Sequence, residues 1–235
     1  MNNIIVNFVE KIERMTAPTL IKDKFERQWM KREYSAVNES SYPTLESYSL
    51  RSIVDYIKNN DENLVIDIES YKKVSLKSIP YGDFKNRDLI IKSEALLPNI
   101  TTERYQEQED FIVNLLSRFK ENMGRDYALS IASQMVEGKE VKVNDDGISQ
   151  RVIVNQGVSS LKEKDVNPYL KLIPYRTFQE VEQPASLFLI RMKTGPSIAI
   201  FEADGGAWKY EAIKNIAKYF EDELIDHKER FEIVY

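Results

Sequence analysis

Cysteine is absent from this 235-residue chain, and histidine occurs once, as His227. Without cysteine there is no disulfide, no thiolate metal site and no cysteine nucleophile. A single histidine leaves few ways to build a zinc site or a Ser-His-Asp triad, because such a triad needs a suitable base beside its nucleophile. His227 follows the last predicted helix in a charged stretch, which predicts a solvated position. These absences favour a binding protein over an enzyme, although they leave an enzyme open.

Long apolar runs are also missing. No run approaches the roughly 18 residues that a membrane-spanning helix needs, so we expect no membrane association. The first residues lack the basic segment and the cleavage site of a signal peptide, which favours a cytoplasmic protein. Hydrophobic residues make up 42% of the chain and charged residues 30%, a balance typical of soluble globular proteins. The formal net charge of −5 argues mildly against general nucleic-acid binding, although 33 Lys and Arg residues allow a local basic patch.

The first hundred residues predict an arm followed by a small α+β segment. Apolar residues recur at helical spacing over 3–15, and Pro18 ends that helix. The polar and aromatic residues of 22–42 predict an extended arm. Thr44 predicts the N-cap of a helix that runs to about Asn60. A three-stranded meander follows, with strands over 64–69, 74–79 and 88–92.

The rest of the chain predicts two helices, several hairpins and a last helix. Gly124 separates the two helices, and the second stops near Gly138. The sequence Asp145-Asp146-Gly147 predicts a hairpin turn. The remaining predicted elements are strands over 139–144 and 148–155, a polar linker over 158–167, a strand near 170–173, a hairpin of 187–192 with 197–201, a helix over about 206–226, and a terminal strand over 231–235 at a sheet edge.

This pattern predicts an α+β fold in which antiparallel sheets, a meander plus hairpins, are covered by amphipathic helices, with an N-terminal helical arm. Pro98 and Thr101-Thr102 suggest a soft boundary near residue 100. The predicted segments are 1–42, the helix and arm; 43–100, the helix and meander; and 101–235, the helix pair, hairpins and C-terminal helix. The last two segments are either separate or one continuous domain.

Two segments mix aromatic, charged and turn-forming residues in a way that no single helix or strand period explains. Residues 174–184 read Pro-Tyr-Arg-Thr-Phe-Gln-Glu-Val-Glu-Gln-Pro, and residues 201–209 read Phe-Glu-Ala-Asp-Gly-Gly-Ala-Trp-Lys. Arginine beside aromatic residues is typical of binding hot spots and of base-stacking platforms. Two glycines before a helix bring backbone N–H groups close to an anion. The predicted binding residues are Tyr175, Arg176, Phe178, Asp204, Gly205, Gly206 and Lys209.

A structural interpretation of the same residues stays open. In it, 174–184 is a crossing loop whose Arg176 pairs with Glu180, Glu182 or Glu202. Asp204 caps the last helix, the two glycines make a tight turn, and Trp208 belongs to the core.

Four carboxylates flank the predicted hairpin of 187–192 with 197–201. If they converge, they would bind a divalent metal through oxygen ligands, the one cofactor that the sequence suggests. With Lys209 they loosely resemble the acid-plus-lysine set of some nucleases. They equally fit the solvent faces of strands. The four residues are Glu180, Glu182, Glu202 and Asp204.

Four motifs make the chain similar to a protein family that tailed phages and prophages of Gram-positive bacteria encode. They are Tyr-Pro-Thr-Leu-Glu at 42–46, Asp-Asp-Gly-Ile-Ser-Gln at 145–150, and the segments 174–184 and 201–209. The resemblance covers about 42–225. It implies an accessory phage gene product, encoded outside the virion-structure genes and acting in the bacterial host cell cytoplasm. It implies no catalytic residue.

We therefore expect a phage accessory protein that acts by binding a protein or a small ligand, in host interaction or replication, rather than by catalysis. Its expected partners are further copies of itself and a host or phage protein. The alternative is a nucleic-acid-binding or metal-dependent nucleic-acid-processing protein of phage DNA metabolism. A third possibility is a virion or assembly component.

Overall fold

A computed structural model describes residues 20–30, 43–82, 85–135, 142–143, 150–155, 161–193 and 197–235. The chain divides into two compact units, one made from 1–43 and 80–88, the other from 44–79 and 89–235. Residues on both sides of position 100 belong to the second unit. The predicted helix over 3–15 lies outside the described residues.

Helices and strands together make the α+β fold that the sequence predicts. In chain order they are β1 (Leu20–Lys22), β2 (Gln28–Met30), β3 (Leu45–Ser47), α1 (Arg51–Asn59), β4 (Leu64–Ser70), β5 (Lys73–Ser78), β6 (Leu89–Glu94), β7 (Gln106–Glu107), α2 (Gln108–Arg118), α3 (Met123–Gln134), β8 (Lys142–Val143), β9 (Gln150–Asn155), β10 (Leu161–Val166), β11 (Tyr169–Leu172), β12 (Ser186–Lys193), β13 (Ser197–Glu202), α4 (Trp208–Glu223), a 3₁₀-helix (Ile225–Arg230) and β14 (Phe231–Val234).

In the first unit, the described part of the predicted arm folds back on itself. Strands β1 and β2 pair in an antiparallel hairpin. The Asp23 carboxylate accepts hydrogen bonds from the backbone N–H groups of Phe25, at 2.9 Å, and Arg27, at 3.2 Å. Such side-chain-to-backbone bonds are typical of Asp in turns. The arm is therefore a hairpin over 20–30, and 31–42 lies outside the described residues.

The second unit contains a five-stranded sheet in the order β14-β4-β5-β6-β3. Its centre is the predicted meander, since β4, β5 and β6 pair antiparallel. Both edge strands, β3 and β14, pair parallel with their neighbours. The predicted return of the terminal strand to a sheet edge is thus confirmed.

The predicted start of α1 at Thr44 is wrong. Residues Leu45–Ser47 form edge strand β3, the Thr44 hydroxyl donates to the Leu89 carbonyl at 2.9 Å, and the helix begins at Arg51. Pairing with a strand that is distant along the chain prevails here over the local capping signal. Ile53, Val54 and Ile57 are buried on one face of α1, as the apolar spacing predicts.

The predicted break at Gly124 is also wrong. Helix α2 ends at Arg118, and Gly124 lies in the first turn of α3. A Cβ atom on Gly124 would lie 2.2 Å from the carbonyl oxygen of Lys171 in β11. Glycine is required there because the helix approaches the strand backbone too closely for any side chain.

The predicted polar linker over 158–167 is corrected as well. Strand β10 pairs antiparallel with β9 over its full length. Backbone hydrogen bonding to the adjacent strand β9 outweighs the polar composition of β10. The predicted hairpin partners β8 and β9 pair antiparallel, while the turn at 145–147 lies outside the described residues.

Two hydrophobic cores lie in the second unit. The first packs α1 and α4 on the five-stranded sheet. The second packs α2 and α3 on a four-stranded sheet in the order β11-β12-β13-β7. The largest fully buried side chains are Phe178 and Phe220 in the first core and Phe111, Phe119 and Phe188 in the second.

Candidate functional site

The motif segment 174–184 runs from the second core to the first. Pro174 forms a backbone bridge with Phe119, and the Tyr175 N–H donates to the Arg118 carbonyl at 3.0 Å. Further along, Phe178 and Val181 are buried in the first core. The segment thus holds the two cores together through backbone contacts at one end and apolar side chains at the other.

The Gln183 side chain forms hydrogen bonds to the backbone of its own segment. Its amide oxygen accepts hydrogen bonds from the backbone N–H groups of Arg176, at 2.9 Å, and Thr177, at 3.2 Å. Its amide nitrogen donates to the Phe178 carbonyl at 2.8 Å. The Thr177 hydroxyl donates to the Tyr71 carbonyl in the β4–β5 turn. Buried backbone groups therefore find partners although the segment has no regular secondary structure.

The Glu180 carboxylate accepts hydrogen bonds from residues at the start of helix α1. One of its carboxylate oxygens accepts from the Ser49 hydroxyl at 2.6 Å and from the Leu50 N–H at 2.9 Å. A negative charge at a helix N-terminus is stabilising, because the unpaired N–H groups there carry partial positive charge. The carboxylate is thus engaged by the helix.

The Arg176 side chain lies against the β12–β13 hairpin. The strand register pairs Phe188 with Glu202, and the alternation along a strand places Ser186 on the same face as Phe188. The guanidinium donates through Nη1 to the Glu202 carboxylate and through Nη2 to the Ser186 hydroxyl. Of the three possible partners named from the sequence, Glu202 is the one that pairs with Arg176.

Aromatic rings flank this charged pair. The Arg176 Cζ atom lies 3.9 Å from the Trp208 ring centroid and 5.6 Å from that of Phe188, within the range of cation–π attraction. The Trp208 Nε1–H donates to Glu202 at 3.4 Å. The Tyr71 ring meets Trp208 edge-on, with centroids 4.8 Å apart.

Arg176 is 7% exposed. Burial lowers the pKa of its guanidinium to about 10, and the nearby carboxylates of Glu202 and Asp204 oppose that fall. The side chain therefore remains cationic at neutral pH. Its Nε atom has no hydrogen-bond partner among the described residues and is itself shielded from solvent.

A pocket of about 210 Å³ adjoins this cluster, and we call it the Arg176 pocket. Aromatic and aliphatic side chains make most of its wall, and Arg176 and Glu202 supply the charged groups. Mostly apolar walls with a few placed polar groups are typical of small-molecule sites. The lining residues are Tyr71, Leu97, Pro98, Ile100, Thr102, Pro174, Tyr175, Arg176, Phe188, Glu202 and Trp208.

The predicted binding residues separate into different places. Tyr175 and Arg176 line the Arg176 pocket. Phe178 is 1% exposed in the first core, so its side chain is not available as a contact surface. Lys209 lies in the first turn of α4, with its Nζ atom 5.8 Å from the Trp208 ring centroid.

The turn before α4 matches the structural interpretation in its two glycines, whereas the predicted cap by Asp204 is wrong. The Asp204 carboxylate accepts from the Gly206 N–H at 3.1 Å. Gly205 and Gly206 have φ values of +64° and +81°, which favour glycine. The side chain of Asp204 thus makes a turn rather than a cap on the first turn of α4.

The four candidate metal ligands do not form a set. Glu180 holds the start of α1, and Glu202 pairs with Arg176. Within the described ranges, no group of three or more His, Asp or Glu side chains is placed to hold a metal ion. Glu182 and Asp204 belong to no such cluster either.

Sequence reasoning missed Tyr71, Ile100 and Thr102 as parts of the site. Each lies outside both motif segments, and no local pattern marks them. The structural interpretation places Trp208 in the core; it is buried, and it also forms part of the pocket wall. The available signal for Trp208 is that it belongs to the same motif segment, 201–209, as Glu202.

Comparison with known proteins found no matching family model, no matching curated protein and no matching solved structure. The similarity to a phage and prophage family accordingly stays a prediction. Among the described residues, no helix is both long and apolar enough to cross a membrane.

Proposed function

We propose that the protein acts by binding and that it takes a small ligand into the Arg176 pocket. The observation that supports this most directly is a cavity of about 210 Å³ whose wall combines the rings of Tyr71, Tyr175, Phe188 and Trp208 with the Arg176–Glu202 pair. Small-molecule sites typically combine mostly apolar walls with a few placed polar groups in this way.

Binding fits the pocket better than catalysis because its carboxylate is already engaged. Glu202 accepts from the Arg176 guanidinium and from the Trp208 indole. A general base needs free access to the proton that it removes. The charged pair therefore serves to orient a ligand.

The wider role that goes with this proposal is that of a phage accessory protein in the cytoplasm of a bacterial host, working as a homo-oligomer with a host or phage partner. The alternative in nucleic-acid metabolism remains a prediction, and the net charge of −5 weighs against it.

Two tryptophan substitutions at neighbouring positions test the pocket. Leu97 lines it, whereas Leu96 is 68% exposed and does not. In Leu97→Trp the added ring fills the cavity, so ligand binding should be lost; in Leu96→Trp the same ring faces solvent, so binding should persist. The measurement is saturation-transfer NMR with uracil, hypoxanthine, indole and benzoate as probes.

A second blocking variant, Thr102→Trp, serves if Leu97→Trp melts well below the wild type, because Thr102 lines the same pocket. If none of the four probes receives saturation from the wild-type protein, the proposed function is wrong. Equal transfer in wild type and in both blocking variants would place the binding elsewhere and would also contradict it.

A further inference from the structure

We infer that the four-stranded sheet β11-β12-β13-β7 binds single-stranded nucleic acid on the side turned away from the second core. This site is separate from the Arg176 pocket, and the inference goes beyond the proposed function. It is supported by a row of exposed rings, by cations on both sides of that row, and by a local charge opposite in sign to the net charge of the chain.

One side of the four-stranded sheet is covered and the other is open. Helices α2 and α3 pack on the side that carries Phe188, Ile190 and Ile200. In β11 and β12 every second residue is buried on that side, and the residues between them are exposed or half-buried. Side chains alternate along a strand, so these intervening residues lie on the opposite side. We call that side the outer sheet face.

A row of large apolar side chains crosses the outer sheet face. The strand register places Tyr169 beside Leu189, and Leu189 beside Phe201. Residues directly opposite one another on paired strands project to the same face. The Tyr105 ring extends the row, with its centroid 6.3 Å from that of Phe201. Tyr169 is 47% exposed and Tyr105 is 38% exposed, so a ligand can reach the rings at both ends.

Exposed rings on a sheet are suited to nucleobases. Every base has a flat face that stacks on an aromatic side chain, whatever the sequence. Sheets that present two or three such rings bind unpaired bases in this way. A base pair hides these faces inside the duplex, so the row favours a single strand.

Basic residues lie on both sides of the row. Lys171 follows Tyr169 by two residues in β11, and Arg191 follows Leu189 by two residues in β12. Because β11 and β12 pair antiparallel, these two steps lead away from the row in opposite directions. At about 3.3 Å per residue, both cations lie roughly 7 Å from the row, one on each side. Phosphates beside stacked bases would therefore meet positive charge on either side.

The charge of the outer sheet face is opposite in sign to that of the whole chain. Lys193 is a third cation, beside Ser197 in the register. Glu107, also beside Ser197, is the one acidic residue that the described part of the four strands places here, because Glu202 pairs with Phe188 on the covered side. The chain has a net charge of −5. A positive face on a negative protein attracts a polyanion to that face in particular.

A second tyrosine–lysine pair provides a matched control. On the outer sheet face, the Lys193 Nζ atom lies 3.9 Å from the Tyr105 ring centroid. In α4, the Lys214 Nζ atom lies 4.4 Å from the ring centroid of Tyr210, which is 58% exposed. The two pairs have the same chemistry, but α4 is not part of the four-stranded sheet. A role of the sheet face should therefore affect the first pair and not the second.

Fluorescence anisotropy with labelled oligothymidylate and oligouridylate of about 15 nucleotides tests the stacking. Tyr105→Ala should weaken binding at least about fivefold, because stacking on one ring contributes that much or more. Tyr210→Ala should leave the affinity unchanged. If Tyr105→Ala melts well below the wild type, Tyr169→Ala serves instead, since it removes the exposed ring at the other end of the row.

A salt titration of the same complexes tests the phosphate contacts. With one contact for each of the three cations, the logarithm of the binding constant should fall with the logarithm of the salt concentration at a slope of about −2. Lys193→Gln should change this slope to about −1.4, whereas Lys214→Gln should leave it unchanged. An unaltered slope in Lys193→Gln would contradict the placement of the strand on this face.

The outcomes separate this inference from the proposed function. Binding of either oligonucleotide that depends on Tyr105 supports it, and the tighter of the two identifies DNA or RNA as the source. No binding at low salt, or equal weakening by Tyr105→Ala and Tyr210→Ala, overturns it. Equal binding of a duplex or of polyglutamate would show attraction of charge without stacking and would also overturn it. Leu97→Trp, which fills the Arg176 pocket, should leave oligonucleotide binding unchanged, so each proposal can fail without the other.

Discussion

Two arginines are buried to the same extent in this protein, in different surroundings. Arg125 and Arg176 are each 7% exposed, and the Nε atom of each lacks a hydrogen-bond partner among the described residues. Arg125 donates to the Phe119 carbonyl at 3.1 Å and pairs at 3.1 Å with Glu121, whose side chain is 87% exposed. Arg176 pairs with Glu202, whose side chain is 29% exposed.

Burial of a charged side chain is therefore not enough to identify a binding site. The carboxylate beside Arg125 is solvated, so water weakens the pair. At Arg176 the partner and the flanking rings are shielded together with the cation, and charge interactions strengthen as water is excluded. The same shielded group also lines a cavity, which gives an incoming ligand access to it.

The largest expected effect comes from removing each arginine. Arg176→Ala leaves Glu202 without its partner and removes a side chain packed on Trp208, so the free energy of unfolding should fall by about 3 kcal/mol. Arg125→Ala leaves a solvated Glu121 but also removes the donor to the Phe119 carbonyl, and the loss should be about 2 kcal/mol. Urea unfolding at neutral pH measures both. Equal losses would remove the distinction between the two sites.

The partner carboxylates give a smaller contrast of the same kind. Glu202→Gln keeps the shape but removes the charge that balances a buried cation, which should lower the free energy of unfolding by about 1–2 kcal/mol. Glu121→Gln should change it by less than about 0.5 kcal/mol, since exposed pairs contribute little. Urea unfolding midpoints of the two variants measure these losses. A larger loss of unfolding free energy for Glu121→Gln than for Glu202→Gln would contradict the comparison.

The smallest effect concerns protonation. Burial lowers the pKa of the Arg176 guanidinium from the ordinary arginine value to about 10. The folded protein thus loses this proton at a lower pH than the unfolded chain. The group disfavours folding below about pH 10, and this penalty declines as the pH rises from about 10 toward the higher, ordinary pKa that the arginine has in the unfolded chain.

The ¹³Cζ chemical shift of Arg176, followed against pH, measures this pKa directly. Arg51 is an internal control because its hydrogen bond and ion pair with Asp55 raise the pKa of its guanidinium. We expect the Arg176 signal to titrate near pH 10 while the Arg51 signal stays constant. Titration of both signals together would show that Arg176 is not desolvated in solution.

The central meander and the β12–β13 hairpin could be predicted because their signals are local. Alternate residues are buried along β12, and in the β4–β5 and β12–β13 pairs the partner strand follows after a short turn. Helix α4 is similar, since Ala212, Ile216 and Phe220 recur at helical spacing and are buried. Neighbours along the chain contain the information for these elements.

The predictions at Thr44 and Gly124 are wrong because the roles of both residues depend on backbone that is distant along the chain. Thr44 has a good capping side chain, but β6 offers a strand partner to the residues that follow. Glycine often ends a helix, but Gly124 is required because the Lys171 carbonyl leaves no room for a side chain. Neither partner is close to them in the sequence.

The candidate site was predicted in part. The composition of the segment predicts Tyr175 and Arg176 as binding residues, and both line the Arg176 pocket. It predicts Phe178 on the same grounds, but Phe178 is buried in the core. Composition marks a segment as unusual, but it does not tell a pocket wall from a core anchor, because alternate residues of an irregular segment face different surroundings.

By itself, the sequence determined the α+β class, the order of most helices and strands, and the concentration of unusual chemistry in 174–184 and 201–209. The tertiary structure decided what that chemistry does: Arg176 stacks on Trp208, Gln183 ties its own loop, and Glu180 holds a helix start 130 residues away. The two kinds of information differ in how far apart along the chain the interacting residues lie. Secondary structure follows periodicities of two to four residues, whereas hydrogen bonds and cavities are formed by groups that only folding brings together.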